Sequence, residues 1–327
     1  MPEPLLVLVT HTLPEGWLDL LQGRCRLLVG PPDANQLSPE LAQHLGEADG
    51  LYSLLTIRVD ESILEHAPRL RVVSNMAVGV DNIDLAACTR RGIPVGNTPG
   101  VLTDGTADLA MTLLLAAARR LPEASRDARA GRWTTWSPTG WLGADLRGAT
   151  LGIVGMGKIG RAVAERARGF GLRLVYADTD PHPDVETRLE ASRLSLEELL
   201  EQSDFVSLHV PLTSETYQLF GEAALKRMKS TAILVNTSRG PVVDTGALTR
   251  ALQKNEIRAA ALDVTDPEPL PPDHPLFGLP NCLIVPHIGS ATWNTRRNMA
   301  LRACENLLAG LAGERLPYCV NPEVYRD

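Results

Sequence analysis

Little in this 327-residue sequence would take it to a membrane, a nucleic acid or an oxidising compartment. The cysteines, at positions 25, 88, 282, 304 and 319, are scattered and odd in number. With no Cys-x-x-Cys and no Cys/His cluster, neither a disulfide framework nor a metal site is expected. No run reaches the roughly 18 apolar residues of a membrane span. Met1-Pro-Glu-Pro, ahead of a short apolar stretch, does not read as a signal peptide. Lysine is confined to positions 158, 226, 229 and 254, and the formal net charge is −7, which argues against a nucleic-acid or anionic-membrane surface. Low-complexity segments and solenoid-period repeats are missing too. With 44% hydrophobic and 22% charged residues, what remains is an ordinary globular chain, read as cytoplasmic. It is too long for one core, so two domains are expected.

The most informative stretch is Thr150-Leu-Gly-Ile-Val-Gly-Met-Gly-Lys-Ile-Gly160. Leu151 to Val154 reads as a buried parallel strand, and Ala162, Val163 and Ala167 continue at helical spacing. Gly155 suits the tight turn, Gly157 lets the backbone approach a pyrophosphate, and Gly160 lets helix and strand pack closely. The new helix offers free N–H groups and a positive dipole end to phosphates. The next strand ends at Asp178, about 20 residues on, where a ribose-binding carboxylate belongs. Strand, turn, helix and acid together predict a bound dinucleotide.

Taken in order, Leu5–Val9, Arg26–Val29, Gly50–Leu55, Leu70–Asn75 and Ile93–Gly96 read as strands, with Glu15–Leu21 and Asp60–Glu65 as helices. This alternation predicts a small parallel sheet with helices on both faces. Ala77 to Asp84 follows the fourth strand as a glycine-containing loop, either ligand-facing or a plain turn capped by Asp81 or Asn82. Thr103–Arg120 is a long helix. Arg132 to Trp141 is dense in tryptophan and is expected to pack within the fold or at a subunit interface. The rhythm then repeats through strands Leu172–Ala177, Phe205–Val210, Ala232–Asn236, Ala259–Leu262 and Leu283–Val285, with helices Leu196–Gln202 and Gly246–Gln253, and a final helix from Thr292 to Ala312.

Four polar clusters follow strands of the second half, where doubly wound sheets bind ligands: 209–213, 236–240, 262–269 and 285–290. Each has a plain alternative. Arg239 could be a surface ion-pair partner, Glu268 a solvated loop acid, His287 a helix cap and His209 a core histidine. Together they meet one chemical requirement. Moving a hydride between a nicotinamide and a 2-keto acid needs a cation to hold the carboxylate and polarise the carbonyl, for which arginine's planar fork is suited. It needs a proton donor near neutral pH, which is histidine's range. A carboxylate beside that histidine orients it. Arg239, His287 and Glu268 supply these three types.

The whole chain resembles the D-isomer-specific 2-hydroxyacid dehydrogenases, on Ala77-Val-Gly-Val-Asp-Asn-Ile-Asp, Thr106-Ala-Asp-Leu-Ala, Gly155 to Gly160, Asn236-Thr-Ser-Arg-Gly, Leu262-Asp-Val and Pro286-His-Ile-Gly. The resemblance implies that Arg239 binds substrate, that Glu268 partners the histidine, and that His287 is general acid in reduction and base in oxidation. It implies that Val78 and Gly79 bind the substrate carboxylate through backbone N–H. Thr106, Lys158, Ile159, Asp178, Pro211, Thr237, Asp263 and Gly289 would line the dinucleotide with the three glycines. The implied fold is two doubly wound parallel-sheet domains with a cleft between them. These are a flavodoxin-like substrate domain of residues 1–100 plus 290–327 and a Rossmann cofactor domain of residues 101–289. A homodimer is implied as well.

Within the family the chain is most similar to glyoxylate/hydroxypyruvate reductases, in Arg120-Leu-Pro-Glu-Ala, Gly131-Arg-Trp-Thr-Thr-Trp and Pro267-Glu-Pro-Leu-Pro-Pro-Asp-His-Pro-Leu. Tyr52, Ser53 and Asn75 stand where phosphoglycerate dehydrogenases place arginines, which disfavours a phosphorylated substrate. Asp108 and Gly105 depart from the family's usual Glu and Thr. Asp178 with Asp180 would repel a 2′-phosphate, so NAD(H) is expected over NADP(H). Two other readings are a dehydrogenase for a different 2-keto acid and a dinucleotide-sensing protein like the family's corepressor relatives.

Overall fold

Short runs of Val, Leu and Ile without polar alternation belong to strands covered on both faces, and here they build two all-parallel sheets. The computed structural model describes residues 4–325, so the reading of the extreme N-terminus falls largely outside the described residues. Contacts divide the chain into two compact units, Met1–Leu102 with Thr292–Asp327, and Thr103–Ala291.

The first unit holds β1 (Leu6–Val9), β2 (Arg26–Val29), β3 (Gly50–Ser53), β4 (Val72–Asn75) and β5 (Val95–Gly96). Their order is β2-β1-β3-β4-β5, the flavodoxin-like arrangement. The C-terminal segment joins this unit through buried amides. Asn306 donates to the Asn97 carbonyl at 2.9 Å and accepts the Tyr318 N–H at 3.0 Å. Asn321 accepts the Val95 N–H at 2.7 Å and donates to the Ile93 carbonyl at 3.0 Å. The helix Trp293–Leu311 buries Met299, Ala303, Leu307 and Leu311, while the Tyr52 hydroxyl on β3 and the Ser74 hydroxyl on β4 donate to its Ala300 and Ala303 carbonyls.

The second unit carries β6 (Thr150–Val154), β7 (Arg173–Ala177), β8 (Ser192–Arg193), β9 (Phe205–Leu208), β10 (Ile233–Asn236), β11 (Ala259–Leu262) and β12 (Cys282–Ile284). The order β8-β7-β6-β9-β10-β11-β12 reverses between β6 and β9, the switch point at which such sheets take ligands. Alternation along each strand feeds two cores. Ile153, Phe205, Ile233 and Val235 pack with the helices Thr103–Ala118 and Lys158–Arg168. Val154, Val206, Leu234 and Leu262 pack with Leu199, Leu225, Leu248 and Leu252.

The differences from the sequence reading have local causes. The expected helix at 15–21 is only a single turn, Asp19–Leu21, because Gly16 is left-handed at φ +82°. The long helix ends at Ala118, since Arg120 is left-handed and Pro122 opens the next helix, Leu121–Arg129. The sequence reading does not include that helix or Pro183–Leu189; the first buries no residue. Packing of the tryptophan-rich segment within the fold is overturned for Trp133 and Trp136, which stand 75% and 80% exposed.

Candidate active site

The parallel neighbours β10, β11 and β12 release the loops that carry Arg239, Glu268 and His287 from one edge of the sheet. Each loop is ordered by a buried polar side chain at or next to its strand end. Asn236 closes β10: its side-chain oxygen accepts the Ser238 N–H at 3.0 Å and the Ser238 hydroxyl at 2.8 Å. Its amide nitrogen donates to the Arg239 carbonyl at 2.9 Å. The Arg239 guanidinium is half-buried and donates to the Ser238 carbonyl at 2.9 Å. A Cβ at Gly240 would lie 1.8 Å from the Thr265 carbonyl oxygen, so glycine there lets the Arg239 loop meet the loop that bears Glu268.

Asp263 does the same work for His287. It is 2% exposed, and its two carboxylate oxygens accept the Ile288 N–H at 2.6 Å and the Gly289 N–H at 2.9 Å. Burial raises its pKa above the usual carboxylate range, against the opposing pull of the Ile288 amide and the His287 charge. The His287 N–H donates to the Asp263 carbonyl at 2.9 Å, and the residue sits at φ +50°, a conformation that costs an L-residue energy and is held by its surroundings. Its Nδ1 meets Glu268 Oε1 at 2.5 Å, while Glu268 Oε2 accepts the Thr265 N–H at 3.2 Å. A carboxylate only accepts, so Nδ1 carries a proton and Nε2 is left for a reacting group. The helix-cap alternative for His287 is excluded, because Thr292 caps the following helix.

At the switch point, Gly155 is left-handed at φ +92°, and a Cβ there would lie 2.9 Å from the His209 backbone on the neighbouring loop. A Cβ at Gly160 would lie 2.1 Å from the Gly155 carbonyl, whereas one at Gly157 meets nothing within 4 Å. The helix Lys158–Arg168 opens on Gly157 with no side-chain cap, so the N–H groups of Lys158 and Ile159 lack intrahelical partners. The Thr237 hydroxyl is buried without a hydrogen-bond partner among the described residues, and Thr106 packs beside Gly289. Pro211 is exposed after β9. Asp178, after β7, accepts the Met156 N–H at 2.6 Å and the Asp180 N–H at 3.2 Å. Burial pulls its pKa up, but these amides and the His182 and Thr179 side chains outweigh it, and the net shift is downward. Open space at Gly157, uncapped helix N–H groups and an orphaned hydroxyl fit a dinucleotide.

In the first unit, the loop after β4 is held by asparagines that the sequence reading did not assign. Asn75 donates to the Gly79 carbonyl at 3.0 Å, and Asn97 to the Val78 carbonyl at 2.8 Å. With both carbonyls bound, the loop presents Val78, 36% exposed, at the surface of this unit. Ser53 donates to the Asn75 side chain at 3.1 Å. One signal was available for these residues and for Asn236: a side-chain amide at a strand end or beside a glycine loop bonds local backbone.

Residues 111–289 match the family described as D-isomer specific 2-hydroxyacid dehydrogenase, NAD binding domain. A glyoxylate reductase of Korarchaeum cryptofilum is 50% identical over 321 residues, covering 98% of this chain and 97% of its own. A solved structure of a Thermus thermophilus protein is 50% identical, with a TM-score of 0.90 over 97% of this chain and 100% of its own. A glyoxylate/hydroxypyruvate reductase from Sinorhizobium meliloti, described as NADPH-dependent and solved with NADP and malonate, is 30% identical, with a TM-score of 0.86 over 99% of both chains. The chain belongs to the D-isomer specific 2-hydroxyacid dehydrogenases, with its NAD-binding domain in the second unit.

Proposed function

We propose that the chain reduces glyoxylate and hydroxypyruvate to glycolate and D-glycerate with NADH. The observation that carries this reading is the 2.5 Å contact between His287 Nδ1 and Glu268, which leaves Nε2 to deliver a proton. The relatives named glyoxylate reductase support the substrate class. When bound, the nicotinamide would supply the hydride for the carbonyl carbon. The guanidinium of Arg239 pairs with the substrate carboxylate and polarises the carbonyl oxygen, aided by the backbone N–H groups of Val78 and Gly79. His287 Nε2 protonates that oxygen in reduction and removes the proton in oxidation, and Glu268 keeps the ring oriented.

The glycine turn of Gly155, Gly157 and Gly160, with the N–H groups of Lys158 and Ile159, would hold the pyrophosphate. Asp178 would hold the ribose, and Thr106, Pro211, Thr237, Asp263 and Gly289 would line the rest. The preference for NAD(H) is supported by Asp178 and Asp180, whose charges oppose a 2′-phosphate. Tyr52, Ser53 and Asn75 are buried and bonded inside the first unit, which supports rejection of a phosphorylated substrate. Exposure of Trp133 and Trp136 supports a homodimer that covers them. No helix among the described residues is long and apolar enough to cross a membrane, and the reading places the enzyme in the cytoplasm.

The test is NADH oxidation with glyoxylate, hydroxypyruvate, pyruvate, 2-ketoisocaproate and 3-phosphohydroxypyruvate. Fast turnover confined to the first two is expected. Preference for 2-ketoisocaproate would remove the substrate assignment, and no turnover alongside tight NADH binding would turn the reading toward a sensing protein.

A further inference from the structure

Beside Asp178 lies a histidine that neither the motif nor the mechanism uses. His182 precedes the helix Pro183–Leu189 and is fixed on three sides. Its N–H donates to the Tyr176 hydroxyl at 2.8 Å, and that hydroxyl donates to Glu186 at 2.6 Å. The two rings lie 5.7 Å apart at 44°. Its Nδ1 lies 2.8 Å from Arg161 Nη2. A guanidinium has only donors, so Nδ1 accepts and the ring proton belongs on Nε2. Arg161 is itself held, by the Met156 carbonyl at 3.2 Å and by Asp184.

The proton-bearing Nε2 is buried and has no hydrogen-bond partner among the described residues. It faces Asp178 Oδ2 across 3.4 Å, and that oxygen already accepts the Met156 N–H at 2.6 Å. A buried donor with only this long contact to an already occupied oxygen is poorly satisfied, which is costly and calls for an explanation. A hydroxyl supplies one, because it accepts and donates at once. We propose that His182 is a cofactor-binding residue whose Nε2–H donates to the 2′-hydroxyl oxygen of the adenosine ribose while Asp178 accepts that hydroxyl's proton.

This rests on the NAD(H) reading of Asp178 and extends it. The ribose hydroxyl is read as acceptor and donor by two side chains, and Arg161 sets which nitrogen carries the proton. Arg193 steadies the same turn by donating to the Asp178 and Thr179 carbonyls at 3.0 and 2.8 Å. The histidine's contribution depends on the hydroxyl, which separates it from a merely structural role at the start of the helix.

The test is calorimetric binding, without keto acid, of NADH, NADPH and NADH lacking the adenosine 2′-hydroxyl. His182→Ala should weaken NADH about five- to tenfold, the range of one hydrogen bond, and change the 2′-deoxy analogue by less than about twofold. His182→Gln keeps a donor at similar reach and should retain most of the affinity. Equal weakening of NADH and the deoxy analogue, or no weakening of either, overturns the assignment while leaving the NAD(H) preference intact. Tighter binding of NADPH than NADH by the unaltered chain overturns the Asp178 reading itself, and His182 with it.

Discussion

Two histidines at the same edge of the seven-stranded sheet have opposite surroundings. His209 directly follows β9, its Nε2 shares a hydrogen bond with the Ser207 hydroxyl at 2.8 Å, and its Nδ1 is buried without a partner among the described residues. Burial pushes its pKa down to about 3, so it stays neutral near pH 7 and has no proton to give. His287 is the third residue after β12, has a carboxylate on Nδ1, and keeps its side chain 28% exposed. Residue type and strand-end position are alike. What separates them is the neighbouring group: His287 has a carboxylate on Nδ1, whereas His209 is bonded to a hydroxyl and burial keeps it uncharged.

The comparison can be broken or sharpened by substitution. The largest effect is expected at His287: Ala there should lower kcat for glyoxylate by about 10²- to 10⁴-fold with NADH affinity nearly unchanged. Near-native turnover in this variant would show that the proton comes from elsewhere. Next is the orienting carboxylate. Glu268→Gln keeps the shape and removes the charge, and steady-state rates should fall about ten- to a hundredfold.

A third change tests the scaffold. Gly240→Ala forces a methyl toward the Thr265 carbonyl, so the Arg239 and Glu268 loops must part. Thermal unfolding should show a loss of about 1–3 kcal/mol, with turnover reduced more than NADH affinity. An unchanged melting temperature and rate would mean that the two loops yield freely.

The smallest effect on catalysis is expected at His209. Its folded pKa lies below the unfolded value of 6.5, so the unfolded chain binds the proton more readily between that value and about 3. The stability this contributes is complete above pH 6.5 and is lost as pH falls toward 3. His209→Asn should therefore flatten the acid side of the stability curve, read by denaturant unfolding at about pH 4 to 7, with neutral-pH turnover within about threefold. A neutral-pH rate collapse in this variant would erase the contrast with His287.

How much could be read in advance varied with how local the signal was. The glycine turn, Asp178 and the strands from β9 to β12 were legible because each is written in consecutive residues: an apolar run, a turn, a helical repeat. The two-residue strand β8 is too short for a pattern, and the polar helix Leu121–Arg129 buries none of its residues against a core. For the tryptophans of 133–141 the sequence leaves packing within the fold and packing at a subunit interface open, and the exposure of Trp133 and Trp136 removes the first for those two.

The sequence by itself determined the fold class, the dinucleotide motif and the residue types at the strand ends, because hydrophobic periodicity and glycine placement act over a few residues. Tertiary structure alone decided which of those residues meet. Glu268 reaches His287 because β11 and β12 are parallel neighbours, and Asp263 can hold the Ile288 and Gly289 amides only across that pair. His182 is held beside Asp178 by Arg161, from a different helix, together with the Tyr176 hydroxyl. Which nitrogen bears a proton and which donor lies buried depend on partners distant in sequence, and only packing brings those partners within hydrogen-bonding range.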